Sequence, residues 1–436
     1  MSLDWVSSPA MALRGALRVP GDKSVSHRAI MLAALAEGTS RISGFLEGED
    51  TRATAGAFAR MGVRIEAPRA SERIVYGVGL HGLRAPATPI DCGNAGTGMR
   101  LLTGLLAGQA FDSVLVGDES LSRRPMRRVT EPLTRMGALI ETSAGGVPPL
   151  RIGGKRELCG IAYELPVASA QVKSAILLAG LYANGPTSVR EPHPTRDYTE
   201  RMLLAFGWPI EFTPGAAHLS GGHRLQATDV AVPADFSSAA FFLVAASIVP
   251  GSELVLCDVG INPRRTGLLQ ALRLMGADIV ETNPRVLGGE AVADLIVRAA
   301  PLRGIDVPAE LVPDMIDEFP ALFIAAAVAH GTTRVHGAAE LRVKESDRIA
   351  VMARGLRALG ASVQETPDGA VIEGGTLRGG TVDSAGDHRC AMSFALAGAV
   401  ASGAVRIGDC ANVATSFPGF DELARSCGFE LRGAAD

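Results

Sequence analysis

The chain has 436 residues, 47% of them hydrophobic and 20% charged, with a net charge of −4, so it holds ample core and exceeds one ordinary domain. That acidic total argues against a nucleic-acid or membrane-surface protein, whose partners select a basic face. The longest apolar run, residues 239–249 ("AAFFLVAASIV"), is well short of the roughly 20 residues of a membrane helix.

The start, "MSLDWVSSPAMALRG", shows no basic stretch leading into a long apolar core, so a cytoplasmic chain without a signal peptide is expected. Six cysteines (Cys92, Cys159, Cys257, Cys390, Cys410, Cys427) are scattered without a C-x-x-C pair. That spacing predicts reduced thiols, with neither a disulfide framework nor a zinc site.

Along the chain one pattern returns: a short strand, a polar knot, an Ala/Leu/Phe-rich helix, a glycine turn and another strand. "GALRVPGDKS", "HRAIMLAALAEG" and "TSRISGF" are its first copy; "TDVAVPADFSS", "AAFFLVAASIVPG" and "SELVLCDV" a later one. A second, amphipathic helix follows in each copy and ends on a glycine. Those glycines lie in "MGV" (Met61–Val63), "MGA" (Met136–Ala138), "FGW" (Phe206–Trp208), "MGA" (Met275–Ala277), "LGA" (Leu359–Ala361) and "CGF" (Cys427–Phe429). Glycine is the expected left-handed residue that stops a helix. Copies of roughly 70 to 85 residues are too long for a solenoid, so each is a small β-α-β-α-β module with room for one further strand. Six modules predict two pseudo-threefold α/β domains of three modules each. The break falls in the polar "TPGAAHLSGGHRLQATD" region, and the N-terminal strand goes with the second half. The expected domains are 20–228 and 1–19 plus 229–436.

The polar knots all precede the apolar first helix: "GDKS" (Gly21–Ser24), "CGNAGT" (Cys92–Thr97), "VASAQ" (Val167–Gln171), "PADFSS" (Pro233–Ser238), "PDMIDE" (Pro313–Glu318) and "GDHR" (Gly386–Arg389). A helix start carries free N–H groups and a partial positive charge, and ordinarily favours acids. Here Lys23, Arg28, Arg124, Arg196, Lys344, Arg348 and Arg389 lie in or near the knots, which raises the positive potential further. Two such domains facing each other would aim up to six helix starts at one cleft and close on what binds there. The ligand expected is a small molecule carrying phosphate and carboxylate groups.

Acids stand among these cations. Asp317 in "MIDEF" begins the fifth buried helix and is either a plain N-cap or a base aimed at the ligand. In "LRVKESDRIA", Lys344 and Arg348 are four apart and are expected on one helix face with Glu345 a quarter-turn aside; an ordinary surface salt-bridge helix would read the same way. His388 reads as either a packing residue or a contact. "GNAGTGMR" has the look of a phosphate-cradling loop but fits neither the P-loop nor the dinucleotide fingerprint. No Ser/His/Asp order and no metal-spaced His/Cys cluster stands out.

Taken together, "PGDKSVSHR", "GNAGTGMR", "RRPM", "ASAQVKSA", "TRDYTE", "LRVKESDR" and "DHRCAMSF", in that order and over essentially the whole length, resemble the signatures of the 5-enolpyruvylshikimate-3-phosphate synthases. The resemblance implies two domains of three β-α-β-α-β-β units with the active site in the cleft between them. It implies transfer of the enolpyruvyl group of phosphoenolpyruvate to the 5-hydroxyl of shikimate 3-phosphate, with no metal or organic cofactor, no nucleic-acid or membrane partner, and a monomer. It further implies that Lys23, Ser24, Arg28, Ser169, Ala170, Gln171, Arg196, Asp317 and Lys344 hold shikimate 3-phosphate. Phosphoenolpyruvate would fall to Lys23, Asn94, Gly96, Arg124, Gln171, Glu345, Arg348 and Arg389. Asp317 would take the proton of the 5-hydroxyl and Glu345 would protonate the methylene carbon, assisted by Lys23.

Three positions depart from one branch of that family: Thr415 in "ATSFP" replaces a lysine, Glu340 an asparagine and Ala170 a second serine. They place the chain in the other branch, some members of which carry alanine where this chain has Gly96. The related UDP-N-acetylglucosamine enolpyruvyl transferases have Lys-Asn near the start and a reactive cysteine before an Arg-Pro. This chain has Lys23-Ser24 and a cysteine-free "GDESLSRRP". A non-catalytic anion- or RNA-end-binding protein is disfavoured by the acidic charge, the 5% aromatic content and the acids Asp317 and Glu345.

Overall fold

Six helices with apolar side chains on nearly every side are buried along almost their whole length. They are α1 (Lys23–Leu35), α2 (Gly96–Ala107), α3 (Ala170–Gly180), α4 (Phe236–Ile248), α5 (Phe319–Val328) and α6 (His388–Val400). A helix without a polar face is stable only inside a core, and each of these follows one of the six polar knots. The amphipathic second helix of every repeat ends as its sequence predicts. Gly62, Gly137, Gly207, Gly276, Gly360 and Gly428 all take φ between +79° and +111°, where a side chain would clash.

The structure, a computed structural model, describes residues 3–154 and 157–434. Its six small sheets share one pattern, an edge strand parallel to its neighbour followed by two antiparallel strands. In the second repeat the order is Ile90–Asp91, Ser113–Val116, Val147–Gly153, Leu139–Ser143. Three strands are borrowed from distant sequence. Val230–Ala231 lies parallel to Glu37–Ser43, Arg14–Leu17 lies parallel to Glu253–Gly260, and Trp5–Ser8 sits between Val405–Gly408 and Glu430–Gly433. In the fifth repeat the parallel edge shrinks to single bridges, Arg303 with His330 and Asp306 with Arg334.

The chain divides into two units. One takes the chain up to Pro20, Pro233–Val286 and the chain from Ala291 on; the other takes Gly21–Val232 with Leu287–Glu290. Each has its own core, centred on α4, α5 and α6 in the first and on α1, α2 and α3 in the second. The helices α2 and α3 pack closely. A Cβ added at Gly104 would lie 2.1 Å from the Ala175 carbonyl oxygen, so the helix interior tolerates glycine's lower propensity in return for that approach. Among the described residues no helix is long and apolar enough to cross a membrane.

Candidate active site

None of the six inner helices carries an acid in its first turn. The aspartates that do appear stand one position earlier, as caps. In the unit built on α1–α3, Asp22 accepts from Val25 N at 2.9 Å and from the Tyr198 hydroxyl at 3.2 Å. Ser169 caps α3 through Val172 N at 3.4 Å. The start of α2, at Ala95–Gly96, has no side-chain cap, and arginines stand around it. Arg124 Nη2 donates to Asn94 Oδ1 at 2.6 Å, while Asn94 donates to Asp118 at 2.7 Å. A Cβ at Gly96 would lie 3.0 Å from Arg124 Nη1 and 3.3 Å from Arg100 Nη1. Arg100 in turn donates to Gln171 Oε1 at 2.6 Å, and Gln171 Nε2 donates to Thr97 at 2.8 Å, tying the starts of α2 and α3 together.

Lys23 pairs with Asp50 at 3.0 Å. Arg28, buried behind it, donates to Thr199 Oγ1 (2.7 Å), Ser174 Oγ (2.8 Å) and the Ser24 carbonyl (2.9 Å). Burial, and then the neighbouring Arg196, lower Arg28 to about 10, which leaves it charged at neutral pH. Arg196 follows the loop held by Glu191, which accepts from Thr195 N at 3.2 Å and from the buried Lys173 at 2.8 Å.

His27 shares α1 with these cations. Its Nδ1 meets Thr54 Oγ1 at 2.8 Å, and burial, then Lys23 and Arg28, drive it down to about 3. A folded-state value below the unfolded 6.5 means the unfolded chain binds more protons between those two pH values. Stability is therefore lost as pH falls below about 6.5, by up to ~1.4 kcal/mol per pH unit. His27→Asn is expected to flatten that slope in urea unfolding between pH 7 and 5; equal slopes in both proteins would show that His27 charges freely in the fold.

The unit built on α4–α6 brings its three helix starts together through two buried arginines. Arg348 donates to Asp387 Oδ2 at 2.8 Å and to Glu345 Oε2 at 2.6 Å, and reaches Asp317 Oδ1 at 3.5 Å. Burial works against its charge, but Asp387, Glu345 and Asp317 outweigh it and hold the group above its ordinary value. Asp387 caps α6 through Arg389 N (2.9 Å) and Cys390 N (3.4 Å). Burial would raise it, yet Arg348 and then His388 hold it below the usual carboxylate range. Arg265 reaches Asp317 Oδ2 and Asp235 Oδ1, both at 3.3 Å. Lys344 lies 3.8 Å from Asp317 and 3.4 Å from Glu340. Burial pushes the Glu318 carboxyl up despite the nearby Arg265.

Two expectations change here. Asp317 is no N-cap: α5 begins at Phe319 with Glu318 at the cap position, and the Asp317 carboxylate turns instead to three cations. "KESD" is not helical either, since a 3-10 turn covers Ala339–Val343 and the next helix starts at Arg348. Asp347 caps that helix through Ala350 N at 3.0 Å. Glu345 thus meets Arg348 across a tight bend, and Lys344 and Arg348 converge on Asp317 rather than along a helix face.

Each unit therefore gathers, within itself, its own share of the expected residues. Lys23, Ser24, Arg28, Asn94, Gly96, Arg124, Ser169, Ala170, Gln171 and Arg196 belong to one unit; Asp317, Lys344, Glu345, Arg348 and Arg389 belong to the other. Tyr198 anchors the Asp22 cap, His388 is buried at the start of α6, and Thr415 donates to the Asn412 carbonyl at 2.7 Å. Sequence reasoning missed Arg100, Asp387 and Arg265. Arg100 sits four positions beyond Gly96, one helical turn away, which is a usable signal, and Asp387 is a local cap of α6; the pairing of Asp387 with Arg348 and that of Arg265 with Asp317 involve partners distant in sequence. Among the described residues no cluster of His, Cys, Asp and Glu is placed to hold a metal ion.

Cation-rich helix starts in both units, with three carboxylates on one buried guanidinium in one of them, suit an enzyme that handles anionic small molecules. Residues 8–423 match the family model of EPSP synthase (3-phosphoshikimate 1-carboxyvinyltransferase). The 3-phosphoshikimate 1-carboxyvinyltransferase of Xanthomonas campestris pv. campestris (strain B100) is 70% identical over 427 residues, 98% of each chain. That of Xanthomonas oryzae pv. oryzae (strain PXO99A) is 69% identical over 99% of this chain and 98% of its own. A solved EPSP synthase from Acinetobacter baumannii superposes with a TM-score of 0.90 at 52% identity, covering 100% of both chains. The chain belongs to the EPSP synthase family.

Proposed function

We propose that the two clusters serve one pair of substrates and divide the work between holding anions and moving protons. The reaction is transfer of the enolpyruvyl group from phosphoenolpyruvate to the 5-hydroxyl of shikimate 3-phosphate with release of phosphate. Ser24, Arg28, Ser169, Ala170, Arg196 and Lys344 hold shikimate 3-phosphate. Asn94, Gly96, Arg124, Arg348 and Arg389 hold phosphoenolpyruvate, whose anionic groups suit the uncapped start of α2. Lys23 and Gln171 touch both.

The observation that carries the proton chemistry is the bonding of Asp317 and Glu345 to one fully buried guanidinium, 3.5 and 2.6 Å away. Asp317 takes the proton of the 5-hydroxyl while Glu345, assisted by Lys23, delivers one to the methylene carbon. The hydroxyl oxygen then adds to the oxocarbenium-like carbon. Loss of phosphate and of one methyl proton restores the double bond. The test is inorganic phosphate release from phosphoenolpyruvate, which must require shikimate 3-phosphate; release without it overturns the scheme. The protein acts as a monomer in this scheme, which light scattering on a sizing column checks.

Gly96→Ala is expected to raise KM for phosphoenolpyruvate about tenfold or more, equivalent to ~1.4 kcal/mol, because its methyl would stand 3.0 Å from Arg124 Nη1. Glyphosate, itself anionic, is expected to compete with phosphoenolpyruvate in the parent protein and to lose potency in the variant. Turnover that ignores millimolar glyphosate at limiting phosphoenolpyruvate would refute the assignment of Gly96 to that pocket.

A further inference from the structure

Arg265 takes no part in the scheme above, yet its surroundings tie it to the reacting acid. It belongs to the loop between strand Glu253–Gly260 and helix Gly267–Leu274, and its side chain is only 5% exposed. Of its two terminal nitrogens, Nη1 faces Asp317 Oδ2 (3.3 Å) and Glu318 Oε1 (3.7 Å), while Nη2 faces Asp235 Oδ1 (3.3 Å). Asp235 is itself pinned to the start of α4, accepting from Ser237 N (3.3 Å) and Ser238 N (3.2 Å). The Ser237 hydroxyl donates to Glu318.

The loop is locked to the Asp317 segment by its backbone as well. Gly267 N donates to the Asp314 carbonyl at 3.2 Å and Arg264 pairs with the Asp314 carboxylate at 3.2 Å. A Cβ at Gly267 would lie 2.8 Å from the Leu311 carbonyl oxygen and 2.9 Å from Met315 Cβ, so the two segments approach as closely as glycine allows.

Asp317 lies outside any helix, and Lys344 and Arg348 both sit on its Oδ1 side. From this geometry we infer that Arg265 is a positioning residue: its two-nitrogen fork clamps Asp317 to Asp235 and sets the direction in which Asp317 meets the substrate hydroxyl. The assignment rests on Asp317 being the base. Arginine suits the task because its planar fork spans two carboxylates, where a lysine supplies one point of charge. A displacement of about 1 Å in a reacting group costs on the order of 100-fold in rate.

Arg265→Lys keeps the charge and loses the fork. It is expected to lower kcat about 10- to 100-fold with KM for both substrates within about threefold and calorimetric binding of shikimate 3-phosphate preserved. Unchanged kcat, or a raised KM with kcat intact, overturns the inference. Should Arg265→Lys fail to fold for want of a fork between Asp235 and Asp317, Gly267→Ala displaces the same loop without touching charge and must show the same kcat-only loss. The double variant Arg265→Lys/Asp317→Asn separates the two assignments. If Arg265 acts through Asp317, the double variant loses no more than Asp317→Asn alone, and additive losses sink the positioning role. If Asp317→Asn alone retains full kcat, the base assignment fails first, whatever Arg265 does.

Discussion

Asp317→Asn is expected to lower kcat by about 10²- to 10⁴-fold, the span typical of removing a general base. The substitution keeps size and shape and removes the ability to take a proton. It also leaves Arg265, Lys344 and Arg348, all within 3.8 Å of the carboxylate, short of one negative charge. Anionic substrates should then bind at least as well as before, so KM for both stays level or falls. A loss confined to kcat marks an interaction made only in the transition state. Steady-state phosphate release at saturating concentrations reads it directly. A kcat within tenfold of the parent would return Asp317 to a charge-balancing role and leave Glu345 as the one proton-handling acid.

Arg348→Met carries the second large effect, on stability as well as turnover. The guanidinium is 1% exposed and serves Asp387 (0% exposed), Glu345 and Asp317 at once. Removing one partner of a buried ion pair costs about 3–5 kcal/mol, because the remaining charges are left desolvated and unmatched. Urea unfolding at pH 7 should register that loss, with phosphate release abolished alongside. The sign of the pH dependence follows from Asp387. In the parent its carboxyl is held below the ordinary range, a contribution present above about pH 4 and lost as pH falls through the folded value. The variant has already lost it at pH 7, so the gap between the two proteins should narrow in acid. A gap that stays constant as pH falls from about 4 through the folded value would mean the loss is one of packing and not of charge.

Much of this architecture is legible without coordinates. Residues such as Ile30 to Leu35 or Phe241 to Ala246 leave no polar stripe, and a helix of that kind has only a core to occupy. The glycines after Met61, Met136, Phe206, Met275, Leu359 and Cys427 mark helix ends because left-handed backbone excludes a Cβ. Cations without acids at the helix starts pointed to anionic ligands because the helix dipole and the side chains add in sign.

The chain order alone thus determined the repeat, the buried helices, the places where charge collects and, through its strings of motif residues, the family. What it left open is whatever depends on side chains meeting across repeats. Local spacing offered "KESDR" as a helix and left Asp317 open between a plain cap and a base, since helix and cap are the favoured outcomes for a segment considered by itself. Tertiary packing decided otherwise. Arg348 is drawn inward to three carboxylates from three different segments, and Arg265 couples two helix starts that lie more than eighty residues apart in the chain, at Asp235 and Asp317. Electrostatic pairing in a buried setting acts through distance in space, which no periodicity along the sequence records.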